Sequence, residues 1–331
     1  MALLLSDGFD SHGTGAADLS TGDPAWGTSS GVTIAGGAGK FGGQALRQAA
    51  DTPGSCPILV TPTGSVGIAA YYRVDTSSGT VELLVDGNTP LLERAPSGEL
   101  RVRDGGGTVR VSAPDALPDG DMLWVEVDYT DTGIDLWVGG DLADSYTGSY
   151  TAPDWPSLAL LDGDTGHGQV DVDDFLVWDS SGSYFNTFGL LPRRIQLLET
   201  AGPGAHSEWT PLGIDPNWES VKSSDWTGGD GVEAVTDGLR DTYTMSPLGA
   251  APGLIDAVVL KVRAESTGST PAALQPINAL GTSEQVGAEQ PVPNTPGVLV
   301  TPLYTDANGV SWTPGTVSGT QLGVTLQSYG P

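Results

Sequence analysis

Between residues 56 and 179 the chain repeats one pattern: a short run with an apolar residue at every second position, then a cluster of turn residues. Side chains alternate across a strand, so this period fits sheets and not helices. Strands are expected at CPILVTP (56–62), GIAAYYRV (67–74), TVELLVD (80–86), ELRVRD (99–104), TVRVSA (108–113), MLWVEVDYT (122–130), GIDLWVGG (133–140), SLALLD (157–162) and QVDVDDFLVWD (169–179). Their regular spacing is the signature of a β-sandwich. In MLWVEVDYT, Val125, Val127 and Tyr129 share one side and Glu126 and Asp128 the other, which predicts one packed and one wet face. The turn Thr130–Gly133 reverses the chain, and Ile134, Leu136 and Val138 repeat the alternation, so 122–140 reads as a long antiparallel hairpin.

After Asp179 a turn-rich bridge, SSGSYFNTFGLLPRR, leads to further runs: RIQLLET (194–200), GVEAVTD (231–237), DTYTMSP (241–247), LIDAVVLKVRAES (254–266), GVLVTPLYTD (297–306) and LGVTLQSY (322–329). Residues 265–296 are rich in Pro, Ala and Thr and resemble no module that can be placed. The chain's 331 residues suit two cores of ordinary size, and the bridge divides it into 1–182 and 183–331. The 48 glycines and 24 prolines point to many turns and little helix. One short turn of helix is expected near Pro216–Ser223, capped by Asp215. Trp-Thr-Pro occurs at 209–211 and 312–314 in unlike contexts, which makes no internal repeat.

Thirteen Lys and Arg against 41 Asp and Glu give a formal net charge of −28. Nucleic-acid affinity comes largely from cations that neutralise phosphates, so no nucleic-acid partner is expected. Such acidity suits solubility at high copy number. Cys56 is the only cysteine, which rules out an internal disulfide; its setting in CPILV predicts a buried, structural thiol. The opening MALLLSDGFD reads as neither signal peptide nor membrane span, so no membrane insertion and synthesis in the cytoplasm are expected.

The first 180 residues resemble the concanavalin A-like, or laminin G-like, jelly-roll domains of bacteriophage virion proteins. The resemblance lies in an opening apolar strand into DGFD (7–10), GKFGGQALR (39–47), W-x-E-x-D with the hairpin ending in VGGD (124–141), and the closing QVDVDDFLVWD. Beyond it, NTFGLLPRRIQLLETAGPGAHSEWTP (186–211), NWESV (217–221) and DTYTMS (241–246) look like a module that follows such domains in phage proteins. Composition and period make the chain all-β, and with the resemblance it reads as a jelly-roll β-sandwich followed by a second, smaller β-sandwich domain for attachment or oligomerisation. The resemblance further implies a structural protein of the virion exterior (head fibre, capsid decoration or tail fibre), made in the host cytoplasm. The implied partners are other capsid or tail proteins, two further copies of the chain in a trimer, and a host-surface glycan.

Three sets of residues are candidates for chemistry. Asp7 and Asp10 flank the first strand, and Asp171 and Asp173 share one side of a strand expected beside it. Lectin-like jelly rolls hold a structural Ca²⁺ where such termini meet, because that ion takes several carboxylate and carbonyl oxygens. The competing reading is strand-end solubility and turn capping. Glu126, Asp128 and Asp131 are similar to the E-x-D-x-x-E strand of concanavalin A-fold glucanases, but Asp131 stands where a Glu acid is expected and falls in a turn. Tyr146, Tyr150 and Trp155 are loop aromatics of the kind that stack on sugars, or that pack a loop on its own sandwich. Loop tryptophans Trp209, Trp218, Trp226 and Trp312 suit a small core or a subunit contact. With no nucleotide-binding, Ser-hydrolase or zinc-protease motif present, the chain reads as non-enzymatic.

Overall fold

In the computed structural model, the described residues are 2–9, 12, 15–16, 26–161, 167–182, 188–213, 216–222, 230–249, 253–268 and 271–328. They form two compact units, one ending at Ile195 and the other running on from Gln196. Both are built almost wholly of antiparallel strands.

The first unit holds, in chain order, β1 (Ala2–Asp7), β2 (Gly15–Ala16), β3 (Val32–Gly36), β4 (Gln44–Gln48), β5 (Cys56–Pro57), β6 (Val66–Val74), β7 (Val81–Asp86) and β8 (Thr89–Arg94). Then come β9 (Leu100–Arg103), β10 (Val109–Ala113), β11 (Leu123–Thr130), β12 (Gly133–Val138), β13 (Asp141–Thr147), β14 (Leu158–Leu160) and β15 (Val170–Asp179). A nine-stranded sheet runs β13-β12-β11-β6-β15-β4-β3-β2, with β1 also on β15; a six-stranded sheet runs β10-β9-β8-β7-β14-β5. This is the expected jelly-roll β-sandwich, with its first and last strands paired, Asp7 opposite Phe175. Residues from both sheets fill one core: Ile68, Ala70 and Tyr72 of β6, Val125, Val127 and Tyr129 of β11, and Leu83, Leu92 and Val102 of the smaller sheet. The alternation is why this works, since every second side chain of each strand turns inward. The long hairpin is present in the expected register, Val127 opposite Leu136 and Thr130 opposite Gly133.

The second unit holds β16 (Thr200–Ser207), β17 (Thr210–Leu212), helix α1 (Asn217–Ser220), β18 (Gly231–Glu233), β19 (Arg240–Met245), β20 (Val258–Ala264) and β21 (Ala272–Leu280). It continues with β22 (Ser283–Val286), β23 (Gln290–Pro291), β24 (Gly297–Leu303), helix α2 (Pro314–Gly319) and β25 (Thr320–Ser328). One sheet runs β16-β19-β25-β21-β22, with β23 also on β21; β17 pairs with β18 and β20 with β24 in separate two-stranded ribbons. Trp312 is buried and donates its indole N–H to Leu303 O, and Trp209 donates to Leu239 O. Trp226 and Asp215 lie outside the described residues, and Pro216 stands at the α1 N-cap position with no side-chain hydrogen bond. No helix among the described residues is long and apolar enough to cross a membrane.

Candidate functional site

The outer face of the nine-stranded sheet differs most from expectation. Trp124, Glu126 and Asp128 do point away from the core, but they are not wet: the two carboxylates are fully buried. The physical reason is a strap of residues 188–195, which crosses that face and seals it. A second apolar cluster lies beneath it, made of Ala69, Tyr71, Met122, Trp124, Leu176 and Trp178, with Leu190 of the strap buried among them. Phe188 stacks on Trp178 at 6.5 Å between ring centroids. Further along, Tyr71 meets Trp124 and Phe41 edge to face, and the Arg194 guanidinium sits 4.8 Å over the Phe41 ring.

Two glycines make the seal possible. At Gly67 a Cβ would stand 2.2 Å from the Trp178 indole, which lies against the backbone there. Gly189 has φ +74° and its missing Cβ would meet Trp137 at 2.6 Å, so both backbone conformation and space require glycine.

The carboxylates hold the strap. Glu126 Oε1 accepts the backbone N–H of Gly189 (2.6 Å) and of Leu190 (2.9 Å). Asp128 Oδ2 accepts the Trp137 indole N–H (2.8 Å) and the Gly189 N–H (3.2 Å). Farther on, Ile195 N–H donates to Asp174 Oδ1 (2.9 Å), where β15 bulges and Asp174 adopts φ 51°. Glu126 also interacts with the Trp124 indole and with the Asp128 carboxyl, and among the described residues Glu126 Oε2 and Asp128 Oδ1 have no closer hydrogen-bond partner. Burial raises the proton affinity of both, and for Asp128 the neighbouring Glu126 charge raises it further. Burial and the neighbouring like charge both favour retention of a proton by the pair. Asp131 is not a third member; its backbone N–H is held by Ser65 Oγ (3.2 Å) in the turn after β11.

Among the described residues, Asp7, Asp171 and Asp173, three of the acids expected to share calcium, each meet different partners. Asp7 accepts from Phe9 N (2.8 Å), His12 Nε2 (2.9 Å) and the Trp26 indole (2.9 Å). Asp171 lies between Arg47 and Arg73, bonded to both and to Gln169 Nε2. Asp173 accepts Lys40 N (2.7 Å) and Asp174 N (2.8 Å). The reason is pairing: β4 and β6 bring arginines against Asp171, whereas Asp7 lies past the bulge on the other half of β15. Among the described residues no three His, Cys, Asp or Glu converge as for a metal; Asp10 lies outside them.

The loop aromatics pack on their own sandwich. Tyr150 donates to Thr130 O (2.7 Å) and its ring lies 6.1 Å from Tyr129, which Trp155 meets edge to face. Tyr146, on β13, donates to Ser149 O and lies beneath the Arg110 guanidinium. All three rings are half-buried against the core. Cys56 is buried, and desolvation pushes its thiol well above the ordinary value.

No family model matches the sequence, and no curated protein matches it. Solved structures similar in fold include a cellulose-induced protein, Cip1, at 16% identity and TM-score 0.40, over 53% of this chain and 96% of that one. Another is an alginate lyase of polysaccharide lyase family 7, at 11% identity and TM-score 0.32, over 44% and 81%. A third is a Bacillus subtilis protein with a galectin-like fold, at 11% and TM-score 0.34, over 46% and 89%. The expectation of a non-enzymatic chain is corrected here: the alginate lyase among the structures similar in fold is an enzyme.

Proposed function

We propose that the chain is a structural protein of a bacteriophage virion, displayed on the capsid or tail. In this reading the lectin-like sandwich projects and the second unit attaches to other virion proteins. The observation that supports a display body is the strap: the carboxylate-bearing centre of the large sheet's outer face is closed by the chain's own residues 188–195. Such a body presents loops and edges outward, as a display module does. The phage assignment itself rests on the sequence resemblance. Immunogold labelling of purified particles tests it: gold on the capsid or tail is expected, and particles free of the protein would end the reading.

A second reading, a glycan-binding adhesin, is favoured by the half-exposed Tyr146, Tyr150 and Trp155 along one edge of the sandwich. A glycan array is the test. Binding lost in Trp155→Ala supports this reading, and a blank array removes it.

A further inference from the structure

The sequence holds one pair of adjacent cations, Arg193-Arg194, and it falls in the last residues of the first compact unit, which ends at Ile195. Every other Lys or Arg except Lys40 and Lys222 lies within a strand, where the ladder engages the main chain. Lys40 is tied at both ends, its backbone N–H to Asp173 and its ammonium to Met122 O. Lys222 donates its backbone N–H to Glu219 O just after α1. Residues 190–199, by contrast, belong to no helix or strand, and Leu191, Pro192, Arg194, Leu197 and Glu199 are exposed. An endopeptidase takes its substrate as extended chain that it can pair with, and exposed connectors at unit boundaries supply such chain.

We propose that Arg194–Ile195 is a processing bond, cut by an endopeptidase whose specificity pocket carries an acid, as trypsin's does. Arg194 is the exposed member of the pair. Its guanidinium rests on the half-exposed Phe41 ring, a contact that is given up without opening the core, whereas Arg193 turns back to Leu191 O (3.1 Å). Hydrolysis breaks the peptide C–N bond. The hydroxyl of water goes to the Arg194 carbonyl carbon and its proton to Ile195 N, leaving a carboxylate and an ammonium at neutral pH. The bonds of the strap decide what the cut leaves behind. Gly189 and Leu190, which donate to Glu126, lie upstream and stay joined to β15, so the carboxylate face remains sealed. Ile195 N already donates to Asp174 Oδ1 (2.9 Å), and cleavage turns that amide into an ammonium facing a buried carboxylate. The sandwich is thus freed of its covalent tether while its face stays closed, whether or not the protein sits on a virion.

Brief trypsin treatment of the full chain, followed by intact mass and N-terminal sequencing, is the test. One early cut is expected, giving residues 1–194 and a second fragment that begins at Ile195. The double variant Arg193→Gln, Arg194→Gln should stay whole about tenfold longer. Its circular dichroism should be unchanged, since neither side chain belongs to an apolar cluster. In the nicked wild type the amides of Gly189 and Leu190 should still exchange slowly. The new Ile195 amine should acylate more slowly at neutral pH than in nicked Asp174→Asn, because an ammonium paired with a carboxylate keeps its proton. A first cut at Lys40, Lys222 or a strand arginine, or a double variant cut as fast as wild type, would overturn the proposal. So would fast exchange at 189–190 after the nick, or equal acylation in the two nicked proteins.

Discussion

Replacing Glu126 by Gln isolates the proton that the strap site is inferred to hold. In the wild type, two fully buried carboxyls lie on one face of β11 in contact with each other, and burial raises both above the ordinary carboxylate range. Ordinary Asp and Glu lose their protons near about pH 4. As pH rises past that point, the unfolded chain releases a proton that the folded pair keeps. The native state then binds more protons than the unfolded one, so stability falls with pH until the folded pair also ionises, and levels off beyond. Below about pH 4 both states are protonated and the pair contributes its full stabilisation. One retained proton corresponds to about 1.4 kcal/mol per pH unit, hence up to about 3 kcal/mol between pH 5 and 7. Glutamine keeps Oε1 as acceptor for Gly189 and Leu190, and its amide can donate to Asp128 Oδ1 without a proton from solvent. Denaturant titrations at several pH values, followed by tryptophan fluorescence, provide the assay, with exchange of the 188–195 amides reporting the strap itself. The wild-type curve should fall relative to Glu126→Gln across this range, with the variant the more stable at neutral pH. Parallel curves would mean that the native pair takes up no extra proton, and the shared-proton account would be wrong.

Other substitutions probe the same architecture. Gly189→Ala puts a Cβ into the Trp137 ring at a positive φ and should cost about 1–3 kcal/mol, read as a lower denaturation midpoint and faster strap exchange. Asp171→Asn removes the charge shared by Arg47 and Arg73 and should cost about 2 kcal/mol, less than for a wholly buried pair because both arginines remain partly exposed; an unchanged midpoint would deny that bridge a structural role. Cys56 should react with a thiol reagent only after denaturation, since its thiol is buried and its proton held tightly by desolvation; rapid native labelling would contradict the burial.

Legibility in the sequence followed the strength of the period. β6, β7, β11, β12 and β15 lie within a residue or two of the expected runs because each carries apolar residues at two-residue spacing toward the core over most of its length, with bulges in β7 and β15. β8 (TPLLER) and β13 (DLADSYT) were hidden by Pro, Asp and Ser, whose preference for turns is overridden by pairing to β7 and β12. β21 was the largest omission. It is a central strand within the Pro- and Ala-rich stretch, and Pro276 is accommodated there because it sits where the β22 and β23 pairings leave a gap, its carbonyl taking Gly287 N–H. Conversely, 194–199 is apolar enough to suggest a strand but has no ladder, since this stretch begins at the end of the strap, with Ile195 bonded to Asp174. Helix α2 is marked in the sequence by Thr313-Pro314 followed by Thr316, which form a capping box with proline in the first turn.

The strap shows why period alone could not place the site. Alternation assigns Glu126 and Asp128 to the outer face correctly, yet whether an outer face is wet depends on a segment about 60 residues later, whose own sequence, FGLLPRRI, has no strand period. What marks that segment in retrospect is chemical complementarity. A buried carboxylate needs donors, a two-residue Gly-Leu step offers two consecutive backbone N–H groups, and only glycine lets the first approach over Trp137. Under this account the carboxylates, the glycines and the tryptophans form one unit, and changing any one should loosen the whole strap. A mutant cycle of Glu126→Gln with Gly189→Ala measures that: a shared role predicts coupling above about 0.5 kcal/mol, and simple additivity would separate the latch from the backbone that fits it.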